Sequence, residues 1–328
     1  MQLPAPAAAP SGRRGFSLRS PLIWLLLGLL LLILLLGTLL VWPALAGSPA
    51  PTSVRMAVVG DFGLAGRPER DVAQLVQSWQ PDLVLTVGDN NYDDGAAATI
   101  DANVGQYYHQ YIAPYIGRYG AGATTNRFFP VLGNHDWTTA GAQGYLDYFT
   151  LPGNERYYDV AWGPVHLFAL DSDPHEPDGV TMTSTQAIWL QQKLAAAQEP
   201  WKLVYFHHTP YSSGITDGAT KGMRWPFAQW GASAVLAGHE HNYERVMRDG
   251  IPYFVNGLGG CNGCLYPFGT PTDGSAVRYY SDFGSMRIDA TAGAITFTFI
   301  TRTGQTIDTY TLPDSSATPA PATPAPGS

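Results

Sequence analysis

The sequence contains little cysteine, little charge and no excess of positive charge. Its 328 residues include two cysteines, and 18 lysines and arginines stand against 26 aspartates and glutamates, for a net charge of −8. Two cysteines cannot build a disulfide framework, and the composition does not indicate the basic face that nucleic acid binding requires. We therefore expect no nucleic-acid partner and a fold stabilised by its core rather than by cross-links.

Both cysteines lie in one short segment, Cys261-Asn262-Gly263-Cys264. Two thiols are too few for a structural zinc site. In an exported protein, a local disulfide within this loop is the favoured interpretation.

The first 50 residues differ from the rest of the chain. Arginines in the segment 1–20 precede an apolar run over 21–42, which at about 20 residues can span a bilayer and exceeds the core of most signal peptides. We favour an uncleaved transmembrane helix, while Ala44-Leu45-Ala46 leaves open a cleaved signal. Both alternatives keep the basic flank in the cytoplasm and export the remainder. The folded part is then membrane-anchored and extracytoplasmic, or secreted if the chain is cleaved after Ala46.

The C-terminal end contains only small, polar and proline residues, so no burial of apolar surface offsets the entropy of ordering it. The abundant apolar residues of the middle, 45% over the whole chain, suffice for one large domain. The predicted organisation is a cytoplasmic flank 1–20, an anchor or signal 21–42, a linker 43–53, one folded domain 54–312 and a disordered tail 313–328.

Apolar runs typical of buried strands recur through the folded domain. The runs 55–59 and 83–87 are separated by a helix that begins at Pro68, so they form a βαβ unit with parallel strands. Asp61 and Asp89 follow these two strands and should emerge at the same sheet edge. Further strands are predicted at 128–132, 165–170, 202–206 and 234–237, with a helix around 107–115 and an antiparallel meander after residue 283.

The ends of these strands are rich in possible metal ligands. Five of the eight histidines lie there, together with carboxylates, an amide and the phenol of Tyr92. Such donors, without clustered thiols, suit a hard to borderline metal. Two metals that share a carboxylate can clamp the oxygens of an in-line displacement at phosphorus. His109, His166 and His175 lie outside these ends and are interpreted as surface or core residues, and Asp171 as a structural hydrogen-bond acceptor.

Five of these strand-end motifs stand in the order found in the calcineurin-like metallophosphoesterases. The motifs are Gly60-Asp61-Phe62-Gly63, Gly88-Asp89-Asn90-Asn91-Tyr92, Gly133-Asn134-His135-Asp136, His207-His208-Thr209-Pro210 and Gly238-His239-Glu240-His241. Within that superfamily the chain resembles the purple acid phosphatases, and most of all their tartrate-resistant branch. The resemblance implies an α/β fold, an αββα sandwich of two mixed sheets flanked by helices.

Two positions carry the resemblance to the purple acid phosphatases. Most metallophosphoesterases have a ligand histidine two residues after the first aspartate, where this chain has Gly63. Purple acid phosphatases lack that histidine and carry a tyrosine three residues after the bridging aspartate, which here is Tyr92. A phenol with a pKa of about 10 needs a strongly charged ion to become a ligand, which favours Fe(III).

The resemblance also implies a ligand set. The first metal, Fe(III), would take Asp61, Asp89, Tyr92 and His241. The second metal, Fe, Zn or Mn(II), would take Asp89, Asn134, His207 and His239. His135 would stabilise the transition state or protonate the leaving alkoxide, and His208 is a candidate substrate contact.

The function so implied is acid phosphatase-like hydrolysis of a small phosphomonoester, by in-line attack of a metal-bound hydroxide. A phosphodiesterase or nucleotidase on the same scaffold is the first alternative, and segments 95–127 and 211–230 would distinguish them. A non-catalytic cell-surface binding module is the second alternative, against which the complete ligand set argues.

Overall fold

The computed structural model describes Pro21, Leu25, residues 27–32 and residues 51–313. Pro21, Leu25 and 27–32 are helical. The predicted segments 1–20, 21–42, 43–53 and 313–328 therefore lie wholly or mostly outside the described residues. No helix in the described part of the chain combines the length and the apolar content that a membrane crossing needs.

Residues 51–313 fold into two β-sheets with helices packed against them. The strands are β1 Ser53–Val59, β2 Leu83–Thr86, β3 Phe128–Phe129, β4 Tyr158–Trp162, β5 Val165–Ala169, β6 Trp201–His208, β7 Ala234–Gly238, β8 Tyr243–Arg248, β9 Ile251–Asn256, β10 Ser275–Tyr279, β11 Gly284–Thr291, β12 Ala294–Thr301 and β13 Thr306–Pro313. The α-helices are α1 Arg67–Ser78, α2 Gln106–Tyr108, α3 Asn134–Thr138, α4 Gln143–Tyr148 and α5 Thr185–Ala196.

The first sheet has six strands in the order β13-β12-β11-β1-β2-β3. β1, β2 and β3 run parallel, which confirms the predicted βαβ unit. β11, β12 and β13 form the predicted antiparallel meander and join β1 along its other side. Parallel and antiparallel pairs therefore occur in one sheet, as the resemblance implied.

The second sheet has seven strands in the order β10-β8-β9-β7-β6-β5-β4. Its central strands β5, β6, β7 and β9 are parallel, and β4, β8 and β10 are antiparallel to their neighbours. Both sheets are mixed, so the predicted α/β architecture is confirmed.

β6 shows why the central strands are apolar throughout. Leu203 and Tyr205 face the core between the two sheets, whereas Val204 and Phe206 face a second core beneath α5. Successive side chains of a strand point to opposite faces, and here both faces are covered. A strand buried on both sides reads as a continuous apolar run rather than an alternating one.

Two predicted elements differ from the structure. The strand predicted over 128–132 stops at Phe129 because Pro130 has no N–H for the ladder, and the Val131 carbonyl instead accepts a hydrogen bond from the Asn90 side chain. The helix predicted around 107–115 is a helical stretch from Asp101 that ends at Tyr111, shortly before Pro114.

A buried polar contact joins the two sheets at one end. Asp308 of β13 accepts hydrogen bonds from Arg245 Nε at 2.7 Å and from Tyr243 Oη at 2.9 Å, both on β8. The side chains of Arg245 and Asp308 are only 13% and 6% exposed. Removing one partner of such a pair leaves a buried charge without compensation.

We therefore expect Asp308→Ala to lower the free energy of unfolding by about 3 kcal/mol. This corresponds to a fall in Tm of about 6–12 °C for a domain of this size, measurable by calorimetry. The control is Asp273→Ala, which breaks a pair with Arg248 of similar length, 2.6 Å, whose carboxylate side chain is 85% exposed. An exposed pair contributes at most about 1 kcal/mol, so equal destabilisation by the two variants would contradict this interpretation.

Candidate metal centre

The carboxyl ends of parallel strands from both sheets meet at one place. The Asp61 N–H after β1 donates to the Gly88 carbonyl after β2 at 3.1 Å. Across the gap between the sheets, the His239 N–H after β7 donates to the Asp61 carboxylate at 3.1 Å. His207 at the end of β6 contacts the Val87 carbonyl through Nδ1 at 2.9 Å. The predicted convergence of the strand ends therefore exists, and it bridges the two sheets.

Three of the predicted ligand residues have a left-handed backbone conformation. The φ angles are 54° at Asp61, 52° at Asp89 and 73° at His239. This region is uncommon for residues other than glycine, although Asp and His are enriched in it. The backbone therefore leaves the extended conformation of the strands at these ligand residues.

Two glycines of the motifs, Gly133 and Gly238, are required because the carboxylate of a predicted ligand lies against each of them. A Cβ at Gly133 would collide with Asp89 Oδ1, and a Cβ at Gly238 would collide with Asp61 Oδ2. In both cases the space that a side chain would need is taken by a donor atom from another motif. The glycines before Asn134 and His239 therefore allow the strand ends to pack together.

Four donor atoms form a first group. Tyr92 Oη lies 2.9 Å from Asp89 Oδ2, 3.2 Å from His241 Nε2 and 3.5 Å from Asp61 Oδ1. His241 Nε2 lies 3.4 Å from Asp61 Oδ1. These four atoms are the ligands predicted for the first metal.

A second group surrounds His207. Its Nε2 lies 2.9 Å from Asn134 Oδ1, 3.1 Å from His239 Nδ1 and 3.5 Å from Asp89 Oδ1. Asp89 thus presents Oδ2 to the first group and Oδ1 to the second. The structure brings together all seven residues predicted as metal ligands.

The spacing of these donors fits metal ions. Atoms about 2.1 Å from a common ion are separated by about 3.0–3.4 Å in octahedral or tetrahedral geometry, and the measured separations are 2.9–3.5 Å. Asp61 and Asp89 are almost completely buried, and within residues 51–313 neither forms an ion pair with a lysine or arginine. Buried carboxylates are normally paired or bound to metals.

The protonation states are also compatible with metal binding. Burial lowers the pKa of His207 to about 3, so its ring is neutral and offers a lone pair. Burial and the charge of Asp89 raise the pKa of Tyr92 well above its usual value. Without a metal, Tyr92 is therefore a neutral phenol that donates to Asp89.

The two histidines predicted to face the substrate lie at the edges of the donor groups. His135 Nδ1 donates to the Asp93 carbonyl at 2.5 Å, and its Nε2 lies 4.0 Å from Asp89 Oδ2. His208 contacts the His239 ring at a centroid distance of 4.5 Å. Burial, with the neighbouring His207 and His239, lowers the pKa of His208 to about 2.

Sequence reasoning missed the residues that hold these turns in place. The Asp136 carboxylate accepts the Gly133 N–H at 2.9 Å and the Asn90 N–H and side-chain amide at 3.2 and 2.8 Å. It thereby connects the turn of Asp89 with the turn of Asn134. Burial and the charge of Asp89 raise the pKa of Asp136 to about 7. Asp136 stands inside a recognised motif, but nothing in the spacing of that motif reveals its partners.

Glu240 holds a neighbouring loop against the turn that carries His239 and His241. Its Oε1 accepts the backbone N–H of Asp217 at 3.1 Å and that of Gly218. A Cβ at Gly214 would collide with the same carboxylate. The loop 214–218 therefore packs directly on the side chain between two predicted ligands.

The residues interpreted as structural have partners away from the donor groups. His109 contacts the Gly105 carbonyl, His166 lies between Asp159 and Glu199, and His175 contacts Asp173. Asp171 accepts hydrogen bonds from Trp137 Nε1 and the Asp173 N–H. These contacts agree with the structural roles expected from the sequence.

The two cysteines form a disulfide beside the first donor group. Cys261 and Cys264 lie with their sulfurs within 4.8 Å of a ring nitrogen of His241. The outer nitrogen of His241, Nδ1, is buried and has no hydrogen-bond partner among the described residues. Tyr266, two residues beyond the disulfide, stacks on the His241 ring at 4.6 Å.

Known proteins with related sequences and structures are phosphatases or share their fold. Mouse (Mus musculus) tartrate-resistant acid phosphatase type 5 is 27% identical over 267 residues, which cover 69% of this chain and 79% of that protein. The purple acid phosphatase PPD1 from yellow lupin (Lupinus luteus) seeds superposes with a TM-score of 0.66 at 19% identity, over 84% of this chain and 59% of its own.

The same fold occurs in GAP50, described as the anchor in the inner membrane complex of Plasmodium. It superposes with a TM-score of 0.63 at 16% identity, over 81% of this chain and 90% of its own. At such identities these two structural similarities show the fold alone.

The calcineurin-like phosphoesterase family matches residues 54–243, more than half of the 328-residue chain. The match begins in β1 and ends just beyond the turn of His239 and His241, so it includes every residue of the two donor groups. The resemblance inferred from the five motifs is therefore confirmed, and the chain belongs to the calcineurin-like phosphoesterase family.

Proposed function

We propose that the protein is a phosphatase of the purple acid phosphatase type, which hydrolyses small phosphomonoesters at a dinuclear metal centre. One observation carries this proposal. Position 63, where most metallophosphoesterases have a ligand histidine, is a glycine here, and Tyr92 supplies a ligand atom instead. A Cβ at Gly63 would coincide with the backbone of Asn90, so position 63 has no room for a histidine. Tyr92 Oη instead completes the first donor group.

The chemistry of the donors supports different ions in the two groups. Two carboxylates and a phenol favour a hard, highly charged ion, so we assign Fe(III) to the first group. Two imidazoles, an amide oxygen and a carboxylate suit a borderline divalent ion, so we assign Fe, Zn or Mn(II) to the second. When bound, such a pair supplies Lewis acidity for the phosphoryl group and activates water as a nucleophile.

The residues of this chain would bind and orient the substrate from the edges of the centre. Within residues 51–313, no lysine or arginine forms an ion pair with Asp61 or Asp89, and the rings of His135 and His208 lie beside the two donor groups. The Asp93 carbonyl fixes the ring of His135, which packs on Tyr92 at a centroid distance of 4.6 Å. His135 is thereby placed to contact the phosphoryl group or the leaving oxygen.

The alternatives find less support. The part of 95–127 around Tyr107, Tyr108 and Tyr111 belongs to the core, whereas residues 113–127 are half-buried or exposed. The relatives named acid phosphatases favour a monoester over a diester or nucleotide substrate. A non-catalytic module would have no need for seven converged donor residues, although the fold also serves in a protein described as an anchor.

We further propose that the domain acts outside the cytoplasm, either anchored by 21–42 or secreted after cleavage at Ala46. The support is the basic flank followed by the long apolar run. The Cys261–Cys264 disulfide is compatible with an oxidising compartment.

Metal content tests the shared ligand. The purified protein is expected to hold two metal ions per chain and to hydrolyse an aryl phosphate. The Asp89→Ala variant is expected to lose metal, and its kcat/KM should fall by at least about a thousandfold, because each group loses a ligand atom. Asp94→Ala, an exposed carboxylate in the same turn, should match the wild type in elemental analysis and activity. A wild-type protein with fewer than two metals and no hydrolysis would refute the proposed function.

The visible spectrum tests the first ion. A phenolate bound to Fe(III) gives a charge-transfer band, which Tyr92→Phe is expected to abolish. Tyr266→Phe is the matched control, because Tyr266 stacks on His241 but belongs to neither donor group; its band should persist. An active, colourless enzyme free of iron would overturn the Fe(III) assignment and leave the phosphatase proposal standing.

Substrate comparison tests the reaction class. We expect kcat/KM for an aryl phosphomonoester to exceed that for the corresponding bis-aryl phosphate by at least about tenfold, a difference of about 1.4 kcal/mol in transition-state binding. The same preparation and pH serve for both esters and for a nucleotide. A preference for the diester would favour the phosphodiesterase alternative.

A further inference from the structure

His208 lies beside the second donor group without belonging to it. It follows His207 at the end of β6, and the two rings are nearly perpendicular, with an interplanar angle of 81°. The His207 ring reaches Asn134 and His239, whereas Nδ1 of His208 contacts the Ser172 hydroxyl at 2.9 Å. His208 is nevertheless in ring contact with His239, whose Nδ1 is a donor of the second group.

Ser172 fixes the tautomer of His208. The Ser172 Oγ also lies 2.9 Å from the backbone N–H of His208, which can only donate to it. Among the described residues Ser172 has no other hydrogen-bond partner, so its own hydroxyl hydrogen is available for Nδ1 of His208. A neutral ring that accepts at Nδ1 carries its hydrogen on Nε2.

The Nε2 edge of His208 remains available to a ligand. Within residues 51–313, Nε2 has no hydrogen-bond partner, and it is not among the fully enclosed unpaired atoms. The residue is 9% exposed, so a narrow opening reaches this edge. A polar N–H held in a fixed orientation beside the donor groups needs an acceptor, and a bound phosphoryl group supplies one.

We propose that His208 donates a hydrogen bond from Nε2–H to a non-bridging phosphoryl oxygen of the substrate, and that Ser172 is the positioning residue that holds this donor in place. The proposal rests on the proposed function for the nature of the ligand, a phosphomonoester or inorganic phosphate. His135 adjoins Asp89 and Tyr92, and His208 adjoins His239, so the two rings lie beside different donor groups.

The two neighbouring histidines are held differently. A carbonyl can only accept, so Asp93 fixes a hydrogen on Nδ1 of His135, whereas Ser172 fixes the hydrogen of His208 on Nε2. His135 therefore donates to the centre only when its ring carries a second hydrogen on Nε2, whereas His208 donates from Nε2 as a neutral ring. His208 is suited to hold the anionic phosphoryl oxygens throughout the reaction.

The side-chain amides of glutamine and asparagine test the position of the donor. Glutamine places an N–H near the position of Nε2, and asparagine places one near Nδ1. We expect His208→Asn and His208→Ala to raise Ki for inorganic phosphate and KM for an aryl phosphate by about 10-fold or more, as a hydrogen bond to a charged group implies. His208→Gln should stay within about threefold of the wild type, with two metals per chain in all variants.

Ser172 is tested with a hydroxyl-retaining variant. Ser172→Ala should raise Ki for phosphate by about threefold to tenfold, because the ring is no longer held as an Nε2–H donor, and Ser172→Thr should restore it. Melting temperature and metal content are measured on each variant. Equal Ki values for His208→Gln and His208→Asn, or loss of metal in His208→Gln, would overturn the proposal.

Calorimetric titration of the metal-loaded proteins with phosphate separates this proposal from the proposed function. If the wild type hydrolyses no monoester yet binds phosphate, and His208→Asn weakens that binding while His208→Gln does not, the phosphate contact stands and the phosphatase assignment fails. If the wild type is active and phosphate binding is unchanged in every His208 variant, the phosphatase assignment stands and the contact is refuted.

Discussion

The structure of the centre depends on one carboxylate, that of Asp89, whose two oxygens belong to different groups of metal-ligand atoms. Asp89 Oδ2 contacts Tyr92, and Oδ1 faces His207 and accepts the His135 N–H at 3.0 Å. Asp89 follows β2 in one sheet and His207 ends β6 in the other, so this carboxylate joins the sheets at their carboxyl ends, together with the contacts of Asp61 with His239 and of Val87 with His207. The left-handed backbone at Asp89 and the missing side chain at Gly133 both follow from the need to place it there.

A layer of hydrogen-bonded residues outside the two donor groups holds this arrangement in place. Asp136 gathers backbone amides from two turns, and Asn90 in turn accepts from Thr86 and donates to the Val131 carbonyl. These contacts are buried, where an unsatisfied polar group is costly. The centre is consequently supported by a closed network of hydrogen bonds rather than by flexible loops, and this is the preorganisation that catalysis by charge requires.

Much of the centre could be predicted from the sequence, because the parallel strands bring their carboxyl ends to one edge. The βαβ unit alone places Asp61 and Asp89 together, and the resemblance to the purple acid phosphatases singles out Tyr92. Hydrogen bonds between distant segments could not be predicted. Asp136 to Asn90, Ser172 to His208 and Glu240 to the loop 214–218 depend on the packing of the two sheets, which leaves no local pattern in the chain. The predicted β3 is too long because it follows the apolar run through Pro130, which has no N–H for the ladder.

Glu240 anchors the loop 214–218 through the backbone of the loop, so this anchorage does not depend on which side chains the loop carries. Glu240 holds 214–218 through backbone amides, and a main-chain amide is supplied by every residue except proline. Gly214 is constrained by the carboxylate against it, but Ile215 is 63% exposed and makes no contribution to this anchorage. Side chains at the tip of the loop can therefore diverge between relatives while the ligand turn keeps its shape. The rim of the centre can be adapted during evolution without loss of the chemistry that it surrounds.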